Sequence, residues 1–380
     1  MKRQLQTVFS VGIMAALTLT GGVMLLRTPR TYSENENRYL QSSAKPTWEG
    51  VLDGSWQEDI TAYMSDQMPM RDTWTALQSK MQQWLGKKEI AGVYLGKDDF
   101  YFEKCTAADI SHGRFAANVQ AVAALAEALP QSSLYFLPAP TAGLICREAL
   151  PSYAPYYDES GKMELAFGLL ENRGCTVVDL RTDFAARTDS GEQLYYRTDH
   201  HWNTRGAFAA YEAFAQAAGL TAMTEEEADL KIISESFRGT LDAKVLDAAG
   251  PTDTVEVPFS LPKVQVTADG KPISVLEMSA LHEKDQYKVF FGGNYGQVTV
   301  ETAAGTGRSL LVFKDSYANC FVPFLLEHYD TVTMVDLRYN DGTWTELLAA
   351  APDDVLVLYE MSNFCKDMNL SAVPSLLGTP

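Results

Sequence analysis

The chain has 380 residues, a formal net charge of −18, 46% hydrophobic and 21% charged residues. That composition supports a large buried core and excludes a disordered chain. So acidic a surface repels nucleic acid, which excludes nucleic-acid binding and favours a neutral or cationic substrate over a polyanion.

Residues 1–6 are short and basic, and residues 8–26 then run without a charge to Arg27. That run is long enough to cross a bilayer as a helix, exceeds a typical signal-peptide core, and is followed by no small-x-small cleavage pattern. No cysteine follows it, which excludes a lipid-modified anchor. Residues 1–30 are therefore expected to be an uncleaved signal anchor, with a cleaved signal peptide as the alternative, and either places the remainder outside the cytoplasm. Residues 31–52 are polar and broken by proline, a linker by composition. Residues 53–380 are expected to form one domain.

Within it, 55–85 is helical by pattern and interrupted at Pro69. Trp56, Ile60, Tyr63 and Met64 make one apolar stripe, and Trp74, Leu77, Met81 and Leu85 a second. A short hairpin is expected at 91–95 and 99–102. Helices follow at 113–129 and 163–173, strands at 133–137 and 176–180, and another helix after Asn203 or Thr204 that ends at Gly219. This alternation predicts a mostly parallel sheet with helices on both faces. Residues 221–300 change character: short β-rich runs at 254–259, 263–266, 288–291 and 297–300 read as an antiparallel insertion. The α/β pattern then resumes with strands at 309–313, 331–335 and 355–359, and helices at 317–328 and 344–350. The five cysteines, Cys105, Cys146, Cys175, Cys320 and Cys365, form no CxxC pair, which argues for buried thiols rather than a zinc ribbon or disulfide scaffold.

Two of only five histidines sit together in Thr198-Asp199-His200-His201-Trp202-Asn203. Imidazole moves protons near neutral pH, and an adjacent carboxylate can fix its tautomer. If this stretch is extended, Asp199 and His201 share a side and His200 points away. His201 is then the base, Asp199 its orienting acid, and His200 a structural hydrogen-bonding residue. The nucleophile expected is Ser316, at the end of the apolar run 310–313 and the start of a helix, where open α/β sheets place their ligands. The following helix offers free N–H groups to a developing oxyanion. A bare N-cap role for Ser316 is the alternative. A metal site on Asp199, His200 and His201 is the rival chemistry, disfavoured because adjacent histidines on a strand diverge. Trp202 is a candidate for stacking on a sugar ring, against a core role.

Thr198-Asp199-His200-His201-Trp202-Asn203, Gly292-Gly293-Asn294-Tyr295 and Lys314-Asp315-Ser316-Tyr317-Ala318-Asn319 together resemble the DHHW protein family. That family is similar to the SGNH-hydrolase-like domains of alginate O-acetylation proteins. The resemblance extends to Glu36-Asn37-Arg38 and residues 66–72. It implies a flavodoxin-like α/β fold with circularly permuted motif order, and a triad of Asp199, His201 and Ser316. Lys314 stands where standard SGNH enzymes have glycine before Asp-Ser. Gly293, Asn294 and Asn363 are the oxyanion candidates. The implied function is an extracytoplasmic serine acyltransferase or esterase acting on O-acetyl groups of a cell-envelope polysaccharide, partnered by a membrane-bound O-acyltransferase. Acyl-serine chemistry needs no metal and no soluble cofactor. A non-catalytic glycan-binding or assembly protein on the same fold is the alternative.

Overall fold

A computed structural model describes the whole chain except Met1, Glu34, Glu36, Asn37, Ala248, Asp341, Thr343 and residues 378–380. Glu36 and Asn37 of the lead-in motif therefore lie outside the described residues. The chain divides into two compact units, residues 1–91 with 242–249, and residues 92–241 with 250–380.

The first unit opens with a helix, Lys2–Leu26. Its stretch Gln4–Leu26 has a mean hydropathy of 2.0 and none of it is buried, which fits a signal anchor or a signal peptide. Three further helices follow: Trp48–Asp53, Ser55–Asp66 and Arg71–Trp84. The first begins inside the stretch read as a linker, where the Thr47 hydroxyl accepts from Gly50 N and caps it. Pro69 falls between the last two, as the sequence pattern requires. Of the two apolar stripes, Trp56, Ile60 and Tyr63 are half-buried, but Trp74, Leu77, Met81 and Leu85 are exposed.

The second unit is built on an eight-stranded sheet. Its strands are β1 (Ser133–Ala139), β2 (Thr176–Val177), β3 (Val264–Ala268), β4 (Lys271–Pro272), β5 (Gln297–Thr302), β6 (Ser309–Lys314), β7 (Thr331–Val335) and β8 (Asp354–Glu360). They lie in the order β4-β3-β5-β7-β6-β8-β1-β2. Pairings from β7 to β2 are parallel, and those from β4 to β7 are antiparallel. The central strands β6 and β8 read as continuous apolar runs because both faces are covered. One face packs on Thr204–Ala217 through Phe208, Tyr211 and Phe214. The other packs on His112–Ala128 and Glu159–Glu171 through Val119, Val122, Met163 and Phe167.

The β-rich insertion splits in two. Asp253–Pro258 pairs only with Leu230–Phe237, in a separate ribbon, whereas β3, β4 and β5 extend the main sheet as its antiparallel edge. Three expected elements come out shorter or different. Residues 288–291 do not form a strand: Gln286–Val289 is a single 3-10 turn, and Phe290 makes one isolated bridge to Leu276. The helix expected at 317–328 is Ala318–Phe321 followed by a 3-10 turn, because Pro323 lacks the N–H to continue it. The strand at 176–180 stops at Val177, since Asp179 turns the chain by accepting from Arg181 N.

Candidate active site

The Asp-His-His-Trp segment is not the extended strand that its reading assumed. Tyr195 bridges Trp202 in antiparallel fashion, so the chain doubles back between them in a tight loop. Asp253 cinches that loop, accepting from Arg197 N and Thr198 N at 2.8 Å each and from the Thr198 hydroxyl at 2.6 Å. Loop geometry rather than strand alternation thus brings Asp199 and His201 together. His200 does not diverge: its ring centroid lies 3.8 Å from that of His201. It does make a side-chain hydrogen bond, its Nδ1 lying 2.7 Å from the Thr240 hydroxyl.

Asp199 Oδ1 is 2.6 Å from His201 Nδ1 and also accepts from His201 N at 3.0 Å. Its Oδ2 accepts from Thr240 N at 2.7 Å and from the Thr240 hydroxyl at 2.9 Å. His201 Nε2 in turn lies 2.7 Å from Ser316 Oγ. The three side chains form one continuous hydrogen-bonded chain, each less than a tenth exposed. Gly239 allows the Thr240 contact, since a Cβ there would come within 2.3 Å of Asp199 Cβ. Burial alone would raise the Asp199 carboxyl, but the two imidazoles and its four donors hold it well below the usual carboxylate range. Burial, and then the charge on His200, push His201 below its ordinary value against the attraction of Asp199. The imidazole is therefore neutral at pH 7 and able to accept a proton.

Asp199, His200 and His201 also offer three ligand atoms within 4.8 Å of one another. All the acceptor positions of Asp199 are already filled by protein donors, and a metal ion would have to displace them. The residues fit a proton relay better than a metal site.

Ser316 lies two residues beyond β6, at the C-terminal edge of the parallel strands. Its turn is fixed from below. Asp315 Oδ1 accepts from Tyr317 N at 2.9 Å, while Oδ2 accepts from Glu360 N and Asn363 Nδ2, both at 2.9 Å. Lys314, fully buried, donates to Asn319 Oδ1 at 2.8 Å and Asn294 Oδ1 at 3.0 Å and sits 3.8 Å from Asp336. Burial lowers this lysine to about 8 despite the pull of Asp336. Gly293 offers its carbonyl to Asn319 Nδ2 at 3.3 Å. The three oxyanion candidates are thus found bracing the serine turn.

Tyr287 was not singled out by the sequence. Its ring stacks on His201 with centroids 3.9 Å apart and planes within 9°, and its hydroxyl donates to the Ser316 carbonyl at 2.9 Å. It therefore holds His201 and Ser316 at once. The Tyr317 hydroxyl donates to the His200 carbonyl, tying the two loops together. Trp202 is not available for stacking on a sugar: it is 0% exposed, donates to the Tyr317 carbonyl at 3.0 Å and packs beside Phe184 and Phe321. An indole in a closed core presents no face to a ligand.

A narrow crevice of about 20 Å³ lies beside Asp199 and His200, lined also by Thr141, Tyr156, Tyr317 and Glu360. Burial raises Glu360 to about 8. It likewise raises Glu159, which accepts from Thr141 N and its hydroxyl, to about 7. Sequence reasoning missed Asp253, Gly239-Thr240 and Tyr287. Only Gly239 carried a signal, since a lone glycine among β-rich residues marks close backbone approach.

A mixed α/β sheet with a serine past the edge of its parallel strands, reached by a histidine–aspartate pair from an earlier loop, belongs to the SGNH-hydrolase-like class. Residues 93–294 match the family described as SGNH hydrolase-like domain, acetyltransferase AlgX, and the chain belongs to that family. The matched span takes in Asp199 and His201 and ends before Ser316. The probable alginate O-acetylase AlgJ of Pseudomonas syringae pv. tomato is 24% identical over 249 residues, 63% of this chain and 60% of that protein. The match thus spans less than two thirds of the relative. Among solved structures, a DHHW family protein from Eubacterium siraeum superposes with a TM-score of 0.59 at 22% identity, over 77% of this chain and 96% of that one. PatB1 of Bacillus cereus, with a sulfonyl adduct, gives 0.60 at 18% identity, over 74% and 97%. Both likenesses bear on the fold.

Proposed function

We propose that this chain is a serine acyltransferase or esterase that moves O-acetyl groups on an extracytoplasmic polysaccharide, held at the membrane by its N-terminal helix. The observation that carries the reading is the unbroken chain Asp199–His201–Ser316, with contacts of 2.6 and 2.7 Å. A scaffold that only bound glycan would have no need to keep this serine within reach of a neutral imidazole. Family membership and the O-acetylase name of the relative support acetyl as the acyl group. A membrane-bound O-acyltransferase as the source of acetyl groups fits the same reading.

Ser316 Oγ attacks the ester carbonyl carbon of the acyl donor while His201 Nε2 takes its proton. Asp199 holds the imidazole in the tautomer that presents Nε2 to serine and stabilises the imidazolium formed. The tetrahedral intermediate collapses, the C–O bond to the leaving alcohol breaks, and His201 returns the proton to that oxygen. A glycan hydroxyl, or water in hydrolysis, then gives its proton to His201 and attacks the acyl-serine. The new ester, or the free acid in hydrolysis, departs as the proton goes back to Ser316 Oγ. Asp315, Lys314, Asn294, Asn363 and Gly293 keep the serine turn in place during both steps.

The test is turnover of p-nitrophenyl acetate together with labelling by a sulfonyl fluoride. The parent is expected to turn over and to be labelled at Ser316. Ser316→Ala is expected to lose activity by about 10³-fold or more and to lose the label. Activity surviving the substitution overturns the assignment. Because His201 works as the neutral base and its environment lowers its proton affinity, the acid limb of kcat/KM is expected below pH 6.5.

A further inference from the structure

The helix Arg71–Trp84 is inverted. Trp74, Leu77, Met81, Trp84 and, at its end, Leu85 recur at helical spacing and form one stripe, and every one of them is at least half exposed. The covered face of the same helix carries Asp72, Ala76, Ser79 and Gln83, of which Ser79 is buried. An apolar stripe turned outward is unfavourable in water unless something covers it.

We propose that this stripe lies in the interfacial layer of the membrane that the N-terminal helix enters. Three observations select a lipid surface as the occupant. The stripe follows a 23-residue apolar helix, Gln4–Leu26, in the same compact unit, and only residues 27–70 separate them. Its two tryptophans stand one near each end, the residue type that settles at the headgroup level. Along the stripe's own segment the charge reverses that of the protein: residues 71–88 hold Arg71, Lys80, Lys87 and Lys88 against the single acid Asp72, in a chain of net charge −18, and of these Lys80 lies 3.7 Å from Asp247. Basic residues flanking an apolar helical face suit anionic headgroups, with the stems lying along the acyl boundary. The helix then lies flat on the surface while the N-terminal helix crosses it. This deepens the reading of the chain as membrane-held and rests on that reading.

The full chain, reconstituted into vesicles of phosphatidylcholine and phosphatidylglycerol with brominated acyl chains, is the system to test. Bromine quenches only tryptophans in contact with lipid. Trp202 and Trp344 are buried and serve as unquenched internal references. Quenching is expected in the parent and is expected to fall roughly twofold or more in Trp74→Phe/Trp84→Phe. Alkaline carbonate extraction reads insertion of the N-terminal helix separately. Inserted protein whose quenching is unchanged in the double variant overturns the proposal. So does inserted protein without quenching whose Leu77→Cys variant cross-links to a second copy, which would make the stripe a protein interface. Protein that extracts with carbonate yet is still quenched through Trp74 and Trp84 upholds the surface contact and removes the anchor. Protein that does neither removes both.

Discussion

Two helices of this chain have 14 residues each and opposite fates. Thr204–Ala217 turns Phe208, Tyr211 and Phe214 onto the sheet, and its far side carries the polar residues. Arg71–Trp84 turns Trp74, Leu77 and Met81 away from the protein. Their sequence patterns are alike, with an apolar residue every three or four positions. Periodicity shows that a helix has an apolar face, and it leaves open what that face meets. In the first case the neighbour is β-sheet from the same chain. In the second, the proposed neighbour is lipid.

Truncation separates the two helices most strongly. Phe214→Ala removes a ring from a closed core and is expected to cost about 3–5 kcal/mol in denaturant unfolding. Leu77→Ala, on the outward stripe, is expected to stay within about 0.5 kcal/mol in detergent-free buffer. An equal loss in both would mean that the outward stripe is covered by protein.

A smaller effect is expected where the inward-packed unit meets the chemistry. Tyr287→Phe keeps the ring on His201 but removes the hydroxyl from the Ser316 carbonyl, whereas Tyr287→Leu removes both. Loss of the stack is expected to lower kcat by roughly 10²-fold with little change in KM, and to move the acid limb of the pH profile. The hydroxyl alone should cost about 1 kcal/mol of stability. Identical pH profiles in Tyr287→Leu and the parent would reduce Tyr287 to packing.

The smallest effect is a pH slope. Glu159 and Glu360 are held protonated by burial, with their folded values raised to about 7 and about 8. Between the ordinary carboxyl value and these, the folded state binds more protons than the unfolded state. Their contribution is therefore complete in acid and is lost as pH rises through about 7 and then 8. The unfolding midpoint is expected to fall over that window, and Glu159→Gln/Glu360→Gln to flatten the fall. A slope unchanged in the double variant would place the dependence elsewhere.

Much of the site was legible in the sequence. Asp199, His201 and Ser316 were reached from residue chemistry and the strand-to-helix position of Ser316. Strand alternation separates the two histidines on paper, yet the residues sit in a doubled-back loop held by Asp253. The pairing survived because Asp199 accepts from both the backbone and the ring two residues on, a local geometry that a tight turn also provides. Trp202 went the other way: its place beside the motif suggested a ligand, and its burial makes it core.

What the sequence determined by itself is what local pattern controls. This covers the apolar N-terminal helix, the alternation of strands and helices, the break at Pro69 and the choice of the three residues that are hydrogen-bonded in series. Tertiary structure alone decided what depends on distant partners. It set β3, β4 and β5 on the antiparallel edge, put Gly239-Thr240 and Asp253 around Asp199, stacked Tyr287 on His201, and turned one amphipathic helix inward and another outward. The physical reason is range. Helical spacing and chain breaks are written within a few residues of where they act, whereas burial and hydrogen-bond partnership are settled by chain segments tens of residues apart.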